Sequence, residues 1–250
     1  MKDSYYCSER AIHKNHAHGY DTDRTGLVLK GYLDHSWPFA AGSLCSTTLD
    51  LVAWNKALHG GKILKPDSYR EMTSPGVLND GTKIRYGMGI SLTGTDGRRT
   101  ILHGGGINGF LAESEYYPDD DLVIVVLLNT AGPINPRAFA RQIADAVLGK
   151  APDRSRPLPG DISQFAGDFS GRGRGRPTTV RIAAAGGTIT MTTVGLGGPP
   201  SETLQYFGND TFGVRDTLVL FERENGQVTR LRLDTGGGHN ILVRQPAAGK

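Results

Sequence analysis

The sequence predicts an α+β fold: a partial antiparallel sheet with flanking helices, followed by a small all-β barrel. Three observations carry this. Between residues 83 and 128, strand-like runs follow one another across short turns. Helical periodicity flanks them at 46–59 and 135–148. From residue 160 to 246 the chain breaks into short alternating segments with no helical period. The expected domains are 1–150, a linker at 151–159 rich in Pro, Arg and Ser, and a β domain at 160–250.

The 250 residues suffice for one large or two small domains, and 38% apolar with 21% charged residues excludes global disorder. A net charge of +3 is too slight to argue for nucleic acid. Basic residues cluster only at Arg172, Arg174 and Arg176, where alternation with glycine favours a solvated loop over an anion site. The two cysteines, Cys7 and Cys45, make no disulfide framework and read as small, partly buried thiols. No apolar run is long enough to span a membrane, and Met1 to Tyr6 does not open a signal peptide. The compartment stays unassigned, and no motif calls for a cofactor.

Taken in order, residues 1–40 read as irregular, with a short helix opening at Ser8-Glu9-Arg10 and an extended pair from Gly19-Tyr20 to Leu33. His13, His16 and His18 have neither zinc-finger nor helical metal spacing, which favours solvated loop histidines over a metal site. From Ser46, apolar residues Leu49, Leu51, Val52, Trp54, Ala57 and Leu58 recur at helical spacing. Ser46 or Thr47 caps this helix, Asp50 lies in its first turn and Gly60-Gly61 ends it. Pro66 starts a shorter helix with Tyr69 and Met72 inward. Lys83 to Leu92 alternates as a strand, and Asp96-Gly97 turns into the next at Arg99 to Leu102. Phe110 to Tyr117 is another strand. After the Asp119-Asp120-Asp121 turn, Leu122 to Leu128 is apolar throughout, as in a strand covered on both faces. The helix from Asn135 to Leu148 places Phe139, Ile143, Ala146 and Val147 inward. Strands are then expected at 165–169, 179–182, 188–193, 203–207, 217–222, 228–233 and 241–244.

The candidate site is Thr100 to Leu111, T-I-L-H-G-G-G-I-N-G-F-L. Consecutive glycines after His103 strip the backbone of side chains, and Asn108-Gly109 is a tight-turn pair. A bare backbone offers N–H groups to an oxygen that becomes negative during reaction. A plain glycine-rich hairpin would read the same way.

The middle of the chain resembles a known superfamily. Ala41-Gly42-Ser43-Leu44-Cys45-Ser46-Thr47, Tyr86-Gly87-Met88-Gly89, His103 to Phe110, and Tyr117-Pro118 through Asn129 occur in the order found in serine β-lactamases and D-Ala-D-Ala peptidases. The nearest branch holds class C β-lactamases, D-aminopeptidases and β-lactamase-like esterases. Met1-Lys2-Asp3-Ser4 is similar to the loop that follows P-L-G-M in that family. The resemblance implies a β-lactamase/transpeptidase-like fold and an acyl-serine mechanism on a β-lactam, a D-amino-acid peptide or a small ester. Such sites combine a Ser-x-x-Lys, a Tyr-x-Asn or Tyr-x-Ser, and a Lys-Thr-Gly or His-x-Gly strand. Only the third maps here: His103 as the catalytic position, with Gly104, Gly105, Gly106 and Asn108 along the substrate and oxyanion wall. The chain holds no Ser-x-x-Lys and no Tyr-x-Asn. It therefore reads as the C-terminal portion of such an enzyme, inactive alone, with Leu122 to Leu128 exposed to self-association for want of a neighbouring strand. Residues 160–246 resemble the lipocalin-like domain appended to many members. Two other readings stand beside this one. The first is a non-catalytic module with a ligand-binding barrel. The second is an α/β-hydrolase oxyanion loop, disfavoured because no Gly-x-Ser-x-Gly is present.

Overall fold

The computed structural model describes residues 1–94, 97–173, 176–195, 201–236 and 238–246. Asp96 of the expected turn and Arg174 of the arginine cluster lie outside them. The chain forms two compact units: residues 1–74, 88–90 and 99–151, and residues 75–87, 91–98 and 152–250.

The first unit begins with β1 (Tyr5–Tyr6) and a hairpin of β2 (Tyr20–Asp23) and β3 (Gly26–Leu29). The helix expected at Ser8 does not form; Arg10 N–H donates to the Ser8 hydroxyl in a local turn instead. A four-residue helix α1 (Phe39–Gly42) and β4 (Leu44–Cys45) lead into α2 (Thr48–His59). Thr47 caps α2 by accepting from Asp50 N–H, and Gly60 ends it, as the sequence predicts. The short helix α3 (Pro66–Met72) follows. After β5 (Ser91–Thr93), which belongs to the second unit, come β6 (Thr100–Ile107), β7 (Phe110–Tyr117) and β8 (Leu122–Leu128). These three run as an antiparallel meander. Helix α4 (Pro136–Leu148), capped by Asn135, closes the unit.

Helices cover both faces of the meander: α2 packs on β8 from one side, and α4 packs on β7 and β8 from the other. Ile124, Val126 and Tyr117 meet Ala140 and Ala144 in a small core. The inward stripe of α4 is therefore Ala140, Ile143, Ala144 and Leu148, whereas Phe139, Ala146 and Val147 are exposed. Small residues let the helix approach the sheet closely, a preference that hydrophobicity alone does not register. On the outer edge of β8, no strand is paired among the described residues.

Of the expected strand at Lys83 to Leu92, only Ser91 and Leu92 are extended, in β5; residues 83–90 are not. Its backbone groups are committed to local bonds: Gly76 N–H donates to Tyr86 O, Ile84 N–H to Gly76 O and Leu92 N–H to Arg85 O. Gly89 takes φ +73°, which breaks an extended run. In the second unit this stretch is pinned by Arg85, whose Nε donates to Asp234 Oδ2 at 2.7 Å and whose guanidinium also reaches the carbonyls of Asp216 and Asp234.

The rest of the second unit is nine strands: β9 (Gly167–Gly173), β10 (Arg176–Ala185), β11 (Thr188–Val194), β12 (Glu202–Thr203), β13 (Gln205–Gly208), β14 (Thr211–Val214), β15 (Thr217–Glu224), β16 (Gln227–Asp234) and β17 (His239–Arg244). Their order is β12-β11-β10-β9-β17-β16-β15-β14-β13. The two ends of that order, β12 and β13, are joined by Leu204 alone, so the sheet must curl until its rims meet. Phe165 lies in a short 3₁₀ turn rather than in a strand, and its ring plugs the interior. Phe165, Phe169, Phe212 and Phe221 pack ring to ring at 4.8–5.9 Å, with Ile189, Val219, Leu231 and Leu242 fully buried around them. The barrel is filled by its own side chains.

One docking contact in the first unit carries a titration. The His59 ring of α2 stacks on Tyr116 of β7 with centroids 4.0 Å apart, and its Nδ1 lies 2.7 Å from the Tyr69 hydroxyl. Burial pushes its pKa down from 6.5 to about 4. The unfolded chain thus takes up this proton near pH 6.5 and the folded one only near 4. Neutral His59 contributes stability that is intact above pH 6.5 and lost as pH falls toward 4. Denaturant melts should show that decline, and His59→Phe should flatten it. An NMR titration in which His59 protonates near 6.5 would refute the assignment.

Candidate active site

The register of β6 on β7 sets the site. His103 pairs with Ser114, Ile101 with Tyr116 and Gly105 with Ala112. Ser114 accepts a hydrogen bond from Asn55 Nδ2 of α2 at 2.9 Å, and Tyr116 stacks on His59, also of α2. Residues 101, 103 and 105 therefore share the α2 side of the sheet. Gly104 and Leu102 pair with the buried Glu113 and Glu115 on the opposite side, where the Tyr117 hydroxyl donates to Glu115.

The glycine run is strand, not turn. β6 continues through Gly104, Gly105 and Gly106 to Ile107, and the reversal falls at Asn108-Gly109. None of the three glycines takes a positive φ, so conformational freedom does not explain them. Bareness does. A Cβ on Gly104 would sit 2.8 Å from Glu113 Oε2, and one on Gly106 would sit 3.2 Å from Leu111 Cδ2. A Cβ on Gly105 would meet only ordinary contact, so its absence keeps the strand surface open on the His103 side.

A cleft of about 1170 Å³ runs along this wall within the first unit. His103, Gly104, Gly105, Gly106 and Asn108 all line it. His103 is exposed, and its Nδ1 lies 2.6 Å from the carbonyl of Gly104. A carbonyl only accepts, so Nδ1 is the donor in this contact. Asn108 stands in the turn with Nδ2 3.5 Å from Tyr32 O.

Sequence reasoning missed the facing wall. Cys7 and Cys45 are joined by a disulfide and both line the cleft, which corrects their reading as separate thiols. The two-residue ladder of β1 on β4 brings them together, with Tyr5 opposite Cys45 and Cys7 N–H donating to Ser43 O. With a sequence separation of 38, the crosslink restricts the unfolded chain by about 4 kcal/mol in the chain-entropy account. Asp50, at the start of α2, anchors the same strand by accepting from Lys2 N–H, Asp3 N–H and the Ser4 hydroxyl. Asn55 was also missed; its signal is a polar residue four positions after Leu51 on an otherwise apolar helix stripe, and it is 7% exposed.

Two arrangements mimic catalytic motifs without serving as such. Ser43 Oγ lies 3.3 Å from His35 Nδ1, and His35 Nε2 lies 3.7 Å from Glu9. Ser43 is wholly buried, however, and its hydroxyl donates to His35 O at 2.7 Å, so it is no nucleophile. Glu9 is held as a carboxylate by the hydrogen bond from Lys30, which lowers its pKa. Tyr6-Cys7-Ser8 has the letters of a Tyr-x-Ser motif, but the Tyr6 hydroxyl donates to His35 O. His13 and His16 belong to the cleft wall, and among the described residues no group of three or more His, Cys, Asp or Glu side chains is placed to hold a metal.

The arrangement is an antiparallel meander between helices with a His-Gly-Gly-Gly strand along a cleft. The beta-lactamase family model matches residues 1–148, and the chain belongs to that family. It is similar to a D-aminopeptidase of Brucella anthropi, 25% identical over 147 residues, and to one of Brucella ovis, 28% identical over 149. These alignments cover 59% and 58% of this chain but only 28% of each relative, so the chain spans little more than a quarter of their length. Among solved structures, an octameric penicillin-binding protein homologue from Pyrococcus abyssi aligns with a TM-score of 0.51 and 20% identity, covering 97% of this chain and 56% of its own. A structure described as SurE aligns with a TM-score of 0.52 and 20% identity, covering 97% and 60%. These two likenesses establish the fold.

Gly109 holds the turn that ends the wall. It takes φ +73°, its N–H donates to Asp21 Oδ1, and a Cβ there would lie 2.6 Å from Lys30 Cβ and 2.8 Å from Gly19 and Tyr20 backbone atoms. Gly109→Ala should cost more than about 1 kcal/mol, read by denaturant unfolding. Unchanged stability would mean the turn is built otherwise.

Proposed function

We propose that this chain supplies one wall of a serine hydrolase cleft that acts on D-amino-acid peptides or amides. The observation that supports this reading most is the bare β6 backbone beside His103 along the cleft, in a family with D-aminopeptidase relatives. A serine oxygen from outside these 250 residues would attack the substrate carbonyl carbon, and the oxyanion would take the Gly106 N–H. The C–N bond then breaks, the amine leaves with a proton, and the acyl group stays on the serine. Water adds to that acyl group, its proton returns to the serine oxygen, and the acid is released. Neutral His103 can accept a proton at Nε2 during these transfers, whereas the protonated ring would instead donate to a substrate carboxylate. Esters and β-lactams fit the same chemistry with a different leaving group.

With no Ser-x-x-Lys in the sequence, the 250-residue chain alone should be inert toward D-alanine p-nitroanilide, p-nitrophenyl acetate and nitrocefin. Fused behind a family segment carrying Ser-x-x-Lys, it should turn over at least one of them, and His103→Ala in the fusion should lower the rate about a hundredfold. Turnover by the chain alone, or indifference to His103, would defeat the proposal. A fusion that folds yet stays inert would favour a non-catalytic module, the reading that the missing nucleophile motif also supports.

The outer edge of β8 bears on the chain's behaviour in solution. Ile124 and Val126 are buried, while the backbone edge lacks a paired strand among the described residues. Such an edge templates further pairing. Sedimentation velocity should show concentration-dependent self-association, reduced by Val125→Lys. A single monomeric boundary at all concentrations would rule it out.

A further inference from the structure

We propose that the Cys7–Cys45 disulfide is a redox clasp: a dithiol opens it from the cleft side, and opening loosens the wall that faces the glycines while the meander stays folded. This concerns the shape of the cleft and does not depend on the reaction assigned to it. Both cysteines line the cleft. Cys7 is 2% exposed and Cys45 is half-buried, so attack on Cys45 Sγ is the open route. A thiolate of the dithiol bonds to that sulfur, the S–S bond breaks, and Cys7 Sγ leaves and takes a proton. The second thiol of the reductant gives up its proton and attacks the resulting mixed disulfide; Cys45 Sγ leaves in turn and takes a proton. The protein gains two electrons and two protons, and the dithiol ends as a cyclic disulfide.

The ties that remain decide what moves. Neither sulfur belongs to the core in which Ile124 and Val126 meet α4. Lys2, Asp3 and Ser4 stay bonded to Asp50, and Tyr20 N–H stays bonded to the Gly109 and Asn129 carbonyls. Residues 5–18 are thus tethered at both ends. Between those ends they keep the two-pair ladder on β4, the Cys7 N–H bond to Ser43 O, the Tyr6 hydroxyl on His35 O and the Glu9 contact with Lys30. A two-stranded ladder that short does not persist in water unaided. The segment carries His13 and His16 of the cleft wall. On the other side of the ladder, Phe39 takes φ +40°, a left-handed conformation strained for an aromatic residue, so loosening also relieves strain.

The test is amide hydrogen exchange of the full chain, read by mass spectrometry before and after equilibration with dithiothreitol, with free thiols counted by a chromogenic disulfide reagent. No thiol should react before reduction, and both cysteines should react after it without denaturant. Reduction should speed exchange in residues 5–18 about tenfold or more and leave β7 and β8 unchanged. Reoxidation with glutathione disulfide should restore the slow rate. Cys7→Ser combined with Cys45→Ser should exchange fast there in both buffers. Unchanged exchange at 5–18 on reduction or in the double variant overturns the clasp, as does a rate that reoxidation does not restore. An equal rise in β7 and β8, the mark of a global staple, overturns it too. So do thiols that react before reduction, or a disulfide that dithiothreitol reaches only once the chain is unfolded.

Discussion

The pairing of His103 with Ser114 is the constraint on which the first unit's organisation depends. Strand side chains alternate, so a slip of one residue would send His103 to the α4 side and bring Gly104 round in its place. Helix α2 prevents that slip. Its Asn55 bonds Ser114, and one turn later its His59 lies on Tyr116. Two contacts four residues apart on the helix thereby fix two positions two residues apart on the strand. The alternation also explains the company each face keeps. Imidazole, hydroxyl and open glycine share one side, and buried carboxylates with the α4 core share the other.

Much of this was legible in the sequence, for reasons that differ from element to element. Helix α2 announced itself through Thr47, Asp50 and Gly60, since caps act locally and leave local signals. The strands β7 and β8 and most of the barrel strands followed from alternation or apolar runs between turn residues. The glycines of β6 were ambiguous because glycine marks a turn in most contexts. Here the pairing across to β7, a tertiary fact, holds them extended. The stretch from Lys83 to Leu92 erred the other way. Its alternation is that of a strand, but its hydrogen bonds close on nearby residues.

What the sequence hid lies chiefly in long-range contacts of the first fifty residues. Two cysteines 38 positions apart carry no spacing code, and a ladder of two residue pairs leaves no periodicity to detect. Yet this irregular stretch, tied down by a crosslink and by the Asp50 carboxylate, builds the wall opposite the glycines. The same region holds the Ser43–His35–Glu9 line, a reminder that three residue types in a row do not make a triad. The hydroxyl must be reachable, and its proton must not already be committed.

The closure at Leu204 gives the barrel a property of its own. A sheet whose terminal strands are consecutive in the chain resembles a belt fastened by one link. Arg156 N–H donates to Tyr206 O and so occupies part of the β13 margin, while β12 is only two residues long. Little ladder is left for a foreign strand to join. Opening this half of the molecule would require breaking strand pairs in its interior, so its loss of structure should be abrupt rather than a gradual fraying from one border.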